Sequence, residues 1–388
     1  MTATPAQTRG ALAGAGSLAP LLARAAATVE ATGWPSQRLE AWRYTSLRSL
    51  RDATVPYEAG AGYHVSALDA ADALPLTEAL ADAGFAAQLG GIARVDAADD
   101  AVVARNTLDC TGGLHVQVAS GADARAELSL AGDAFPRLFV EIGRGARLRL
   151  VEHHDVGGVV APVVEVRLAD DAVLEHIVLQ TPRDGGHTLA TIAIEVGRGA
   201  SYRSHVLQLG DGLGRIEQQV RLRGDGSSCD LAGLQVGNAR QHLDAHVVVD
   251  HLGEHTRSSQ QFKGLFGGRS SGVFRGNVRI AREARFADAA QMNRNLLLSE
   301  QARAHTKPQL EIDNEDVKAS HGATVGQLDA AQLFYLRSRG IPEAEARDLL
   351  VQAFADEIVA ALPEPTLAQQ VRDALRLRLS STGEEAVH

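Results

Sequence analysis

Fourteen histidines and two cysteines are the side chains here best suited to metal or nucleophile chemistry, and spacing decides what each could do. His242, His246, His251 and His255 contain HxxxH twice. On a helix, residues four apart share a face, and such a set could hold zinc. The Val247-Val248-Val249 run between them favours strand, on which His246 and His251 point to opposite faces. Turn and solvated-face histidines are the expectation. His153 and His154 are adjacent at a strand end and diverge for the same reason. Glu311, Asp313, Glu315 and Asp316 could hold a cation, but charges on an exposed strand more often guard it against edge pairing. His321 stands apart. It lies between Ser320 and Gly322-Ala323-Thr324, small residues that would let a second backbone or a cofactor come close. On the residues alone, a ligand role and a structural role both stay open. Cys110 and Cys229 form neither a CxxC pair nor a disulfide framework, and each reads as a buried, inert thiol.

Other chemistries lack their motifs. No GxxxxGK[ST] loop is present, so the chain is not expected to hydrolyse ATP itself. Gly143-Arg144-Gly145 and Gly197-Arg198-Gly199 are turns with no helix after them, and the sequence is read as having no G-x-S-x-G nucleophile elbow. A polysaccharide-active enzyme would need paired carboxylates and sugar-stacking aromatics; Asp170-Asp171 is the one tempting pair, it falls in a turn, and aromatics make up only 4%.

The elements that must position His321 sit in residues 307–341. An acidic strand from Leu310 to Asp316 is expected to lead into a small-residue loop that carries the histidine. A helix then opens near Asp329 and bears Leu333, Phe334, Tyr335 and Leu336 before the basic turn Arg337-Ser338-Arg339. Gly340 suits a C-cap, and Pro342 starts the next helix, on which Ala346, Leu349, Leu350, Ala353, Phe354 and Ile358 share a face.

Upstream, the period changes near residue 93. Before it, Leu18 to Ala31 and Ala67 to Leu89 have helical composition. After it, short β-branched runs alternate with turns. Glu141-Ile142-Gly143-Arg144-Gly145-Ala146 recurs as Glu195-Val196-Gly197-Arg198-Gly199-Ala200, an offset of 195 − 141 = 54 residues. Ala172 falls between them and Gly121-Ala122 precedes the set, so the unit is about half that length, a solenoid period. Strands without helices inside the repeat point to a β-helix or a closely related stacked-β structure, and a right-handed parallel β-helix (stacked-β solenoid) is the expected fold class. Three regions follow: a mainly helical domain over 1–92, the β-helix core over 93–326 and a helical domain over 327–388. The helical regions are expected to cover both ends of the stack, which also disfavours a self-polymerising scaffold.

Composition bounds the rest. At 388 residues the chain is long enough for two or three domains, and 22% charged residues rule out wholesale disorder. A net charge of −10 argues against nucleic acid as the main partner. No apolar run reaches a membrane span, and with two unpaired cysteines a cytoplasmic setting is expected.

The stretch from Phe274-Arg275-Gly276 through Asp288-Ala289-Ala290-Gln291-Met292-Asn293-Arg294-Asn295 to Gly340 resembles the C-terminal part of the SufD family. Members of that family are subunits of the SufBCD iron–sulfur cluster assembly complex. Glu40-Ala41-Trp42-Arg43-Tyr44-Thr45 is similar to the family's N-terminal element. From the residues alone, Trp42-Arg43-Tyr44 could be a ligand-stacking site or, by preference, an anchor onto the next domain. The resemblance implies a non-catalytic scaffold that pairs end to end with a SufB-like β-helix protein and docks a SufC-like ABC ATPase. ATPase docking would fall on Leu333, Phe334, Tyr335, Arg337 and Arg339, and the SufB-like interface on Glu311, Asp316, Lys318 and Ser320. His321 would face that interface as a candidate ligand to a nascent cluster. The family commonly has cysteine two residues before this histidine, and Ala319 occupies that position here. No cofactor is expected to bind this chain stably by itself; a flavin is associated with some such complexes, and a homodimer is possible in isolation.

Overall fold

The computed structural model describes residues 10–13, 15–50, 61–97, 100–181, 185–210 and 212–380. The first nine residues, the break read at Val55-Pro56 and the tail past residue 380 lie outside them. Between residues 112 and 326, β-branched and leucine side chains alternate with polar ones, and a period of two places one set on one face. The outcome is a β-solenoid of two sheets. Each coil runs a strand in one sheet, turns, and runs the next strand in the other, from Gly112–Val118 and Asp123–Ala131 to Arg303–Ile312 and Lys318–Gly326. Eight strands of each sheet pair in parallel, one per coil.

In-register pairing turns the alternation into columns. Val116, Val140, Val166, Ile194, Val220, Val249, Val278 and Leu310 lie one above another along the interior of one sheet, so every coil seals its neighbour with aliphatic side chains. The turns form a second column. Gly121, Gly145, Asp171, Gly199, Gly226, His255 and Phe286 all have φ between 54° and 73°. From Gly121 onward, each N–H donates to a carbonyl in the next coil's turn, ending with Phe286 to Asp316. Glycine is the inexpensive residue there, which is why Gly-Arg-Gly betrays the repeat. Coil length grows along the stack. Gly112 lies beside Pro136, Arg147 beside Val173, Ser228 beside Arg257 and Ser271 beside Arg303, so one coil takes 24, 26, 29 and finally 32 residues. That drift explains why the repeat fades after residue 215.

The helices cover faces, not ends. Leu21, Ala25, Phe85, Leu89 and Val103 bury against Phe139, Val163 and Ala193 on the outer face of one sheet. Glu165, itself buried on that face, accepts backbone N–H bonds from Gly90, Ile92 and Ala93 at 3.0 to 3.1 Å. Glu165→Gln should cost about 2 kcal/mol, because an amide offers one acceptor oxygen and turns its NH2 toward a donor. Limited proteolysis should then cut the N-terminal region first; an unchanged digestion pattern would refute the clamp. On the other sheet, Val351, Ala355, Ile358, Val359, Leu367 and Val371 pack on Ile177, Leu207, Leu234 and Leu265.

Several expectations are corrected. Residues 67–75, read as helical, belong to the strands Gly62–Asp69 and Asp72–Pro75; only Leu76–Ala79 and Ala83–Ala86 form short helices. Both strands pair antiparallel onto the first coil and close that end of the stack. The helix Ala101–Leu108 lies inside the region read as pure β. The C-terminal end is not covered by helices at all.

Candidate functional site

Among the described residues, the interior columns of the solenoid end in solvent at the last coil. In the preceding coil, Ala289, Gln291, Asn293 and Asn295 face inward and are at most 4% exposed. Their in-register successors are Ala319, His321, Ala323 and Val325 on the strand Lys318–Gly326, and Val325 is 44% exposed. On the opposite sheet, Leu310 and Ile312 end the inward columns, and Ile312 is 43% exposed. These residues have interior character without a coil above them. Both terminal strands also present an unpaired backbone edge.

His321 is therefore not on a loop. It sits mid-strand, pointing along the interior beside Gln291, whose amide donates to Gln260 at 2.7 Å. The small residues that suggested a loop have another use: a Cβ on Gly322 would come 2.8 Å from the Met292 methyl of the coil below. Glu311, Lys318 and Ser320 share the terminal coil but face outward, and Glu311 accepts from Asn277 at 2.8 Å. Asp316 lies in the turn between the strands, 3.6 Å from Arg285, so the acidic strand ends at Ile312. The interior-facing Thr306, Leu310 and Ile312 were missed; counting alternate residues back from Phe274 through the strand register would have found them.

The donor set at the mouth is one imidazole. Ala319 continues the column Cys229, Ser258, Ala289, so the nearest thiol on that line lies three coils in, roughly 14 Å at a strand spacing of about 4.8 Å. Burial pushes the Cys229 thiol well up and the Cys110 thiol up, which keeps both protonated and inert. The other histidines are dispersed. His242 contacts Thr45 and Ser271, His246 contacts Arg215, His251 lies between Thr256 and Ser258, and His255 stacks on Phe286. Burial holds His251 down to about 4, so it is neutral at physiological pH. His153 and His154 diverge as expected, to Glu127 and Glu152. Glu152 lies deep inside, where Tyr63 donates to it at 2.7 Å and His176 bonds it at 2.7 Å. Gly268-Arg269-Ser270-Ser271-Gly272 does have G-x-S-x-G spacing, but Ser270 is buried in a strand-to-strand turn and donates to the Gly267 carbonyl. Asp170 and Asp171 pair with Arg198 and Arg144 in exposed turns, which commits both carboxylates.

A second surface follows the mouth. Asp329 caps the helix Ala330–Ser338, accepting from Ala331 and Gln332. Gly340, at φ 87°, ends the turn after it. This helix buries no residue: Phe334 is 73% exposed and Tyr335 57%, with Arg339 over the Tyr335 ring and Arg337 paired to Glu343. Arg337 lies within the helix and Arg339 caps it. The next helix, Glu343–Val359, buries Ala346, Val351, Ala355, Ile358 and Val359, so the stripe expected through Leu349 and Ala353 is rotated and Leu349 is exposed. That helix is pinned by Lys263. The buried ammonium bonds the Phe354 carbonyl at 2.8 Å and Glu357 at 2.7 Å.

The sequence has relatives among known proteins. Residues 125–354, more than half of the chain, match the family described as SUF system FeS cluster assembly, SufBD core domain. This chain belongs to the SufB/SufD family. It is 30% identical to the iron–sulfur cluster assembly protein SufD of Escherichia coli over 386 aligned positions, 90% of each chain. It is also 36% identical to a SufBD family protein of Synechocystis over 218 residues, and 34% to one of Mycobacterium tuberculosis over 257. Those two matches span 48% and 65% of the relatives' own lengths. SufB/SufD proteins are iron–sulfur cluster assembly proteins, and among the described residues no helix is long and apolar enough to cross a membrane.

Proposed function

We propose that this chain is the SufD-type scaffold of a SufBCD-like assembly complex. Its coil, taken as right-handed because parallel crossovers overwhelmingly are, joins a SufB-type solenoid through the open end. A SufC-type ATPase docks on the helix Ala330–Ser338, and the nascent iron–sulfur cluster is cargo built at the joint. The observation that supports this most is the terminal coil: interior columns and two strand edges stop in solvent, and only another strand-bearing surface completes both. With Ala319 at the mouth and Cys229 deep in the stack, this reading takes the thiolates of any cluster from the partner and has His321 as the inward-facing donor among the described residues.

An anaerobic pull-down of the tagged full chain should recover an ABC ATPase and a second β-solenoid. Recovery of neither sinks the reading. Phe334→Ala with Tyr335→Ala should weaken ATPase capture at least tenfold, since the pair removes two exposed aromatic anchors and leaves the core untouched. Capture of the solenoid partner should persist in that variant. His321→Ala should leave both partners bound and lower the cluster yield of the reconstituted complex; equal yield would rule out ligation.

A further inference from the structure

The segment Trp42-Arg43-Tyr44-Thr45 divides its side chains. Trp42 lies buried 3.9 Å from the Arg215 guanidinium, and Thr45 is buried on Asp244, which makes both of them anchors. Arg43 and Tyr44 are left outside. With outward-facing residues of the last two coils they wall a cavity of about 710 Å3, large enough for a nucleotide-sized ligand. Its charge is the informative part. Many arginines elsewhere on the solenoid are matched, Arg149 to Glu175, Arg198 to Asp170, Arg223 to Glu195 and Arg279 to Asp250, while those without a carboxylate partner, such as Arg147, Arg240 and Arg257, are scattered along the chain. In this cavity Arg43, Arg269 and Arg303 converge, and none has a carboxylate within 4 Å among the described residues, although Glu300 also lines the wall. What sets the site apart is that three unmatched cations line one cavity in a chain of net charge −10. Beside them Tyr44 and His305 stack with centroids 4.4 Å apart and planes 13° off parallel, forming a flat aromatic wall.

We infer that this cavity binds a small molecule carrying a di- or triphosphate group, with its phosphates on Arg43, Arg269 and Arg303. A planar guanidinium fork matches phosphate oxygens two at a time, which a single ammonium cannot do. A ligand here bridges the N-terminal segment to the last coil, and the inference does not depend on what occupies the open end.

Isothermal titration of the full chain with pyrophosphate, without divalent cations, tests it. Saturable one-to-one binding is expected, weakened at least tenfold by Arg269→Ala combined with Arg303→Ala. Both side chains are exposed and unpaired, so the fold should be retained, and circular dichroism checks that. ADP separates the two sources of the phosphate group. Tighter binding of ADP than pyrophosphate, lost in Tyr44→Ala, identifies a nucleotide; equal affinities identify free polyphosphate, and either result supports the site. No saturable binding overturns the inference, as does pyrophosphate affinity unchanged in the double variant. An equal loss on replacing the remote Arg144 and Arg198 overturns it too, since that is diffuse charge attraction.

Discussion

Ile312→Lys combined with Val325→Lys should abolish pairing with the solenoid partner while leaving ATPase capture intact. Both residues end interior columns, so a joint that continues the stack would have to bury two ammonium groups with no counter-charge. The desolvation penalty is several kcal/mol for each, a loss of roughly 100-fold or more in affinity. Inward-pointing charge is also the device by which natural sheets keep edges apart. The isolated variant should still fold, because both side chains are about half exposed in the free chain. Pull-down followed by sedimentation is the check. Undiminished recovery of the solenoid partner would place its contact elsewhere and remove the open end from the proposal.

The second large effect concerns Glu152. Burial by itself would raise this carboxyl, but hydrogen bonds from His154 and His176 hold it far below the ordinary carboxylate range. Tyr63, from the antiparallel strand that closes the first coil, donates to the same group. Glu152→Ala would leave two imidazoles and a phenol without their acceptor inside the stack, a cost of about 3–5 kcal/mol. The sign of the pH dependence follows from the depressed pKa. The stabilisation is fully present above the unfolded-chain value of about 4.3, and it is lost as pH falls through the folded value. Urea unfolding from pH 7 to pH 3 should show the gap between wild type and Glu152→Ala narrowing on acidification. A gap that stays constant would show that the effect is one of volume, not charge.

The solenoid was legible because its turns need a left-handed residue, and glycine at 121, 145 and 199 wrote the period into the chain. Once Asp171, His255 and Phe286 take that position, the written period is lost although the backbone column continues. Residues 67–75 were misread since alanine and leucine score as helix, whereas pairing with Asp123–Ala131 and Gly112–Val118 decides them; tertiary context outranks propensity. The helix Ala101–Leu108 hid for the opposite reason, being buried on nearly every side and without an amphipathic stripe. His321 was found as a residue and misplaced as a loop, because Gly322 and Ala323 look like loop composition until their register with Met292 and Asn293 is known. The Lys263 pin left no local signal: its partners lie some ninety residues on, at Phe354 and Glu357.

The lengthening of the coils has an architectural consequence. A stack that widens from 24 to 32 residues per turn has a narrow end and a broad one, and the narrow end is plugged by antiparallel strands. A broad rim cannot seat on a plugged narrow one, so copies cannot add head to tail into a fibre. On the proposal above, a broad rim joined to another broad rim uses up the growing end of both bodies. The taper works as a length limiter on the stack itself: a second solenoid seated rim to rim leaves no open coil for a third.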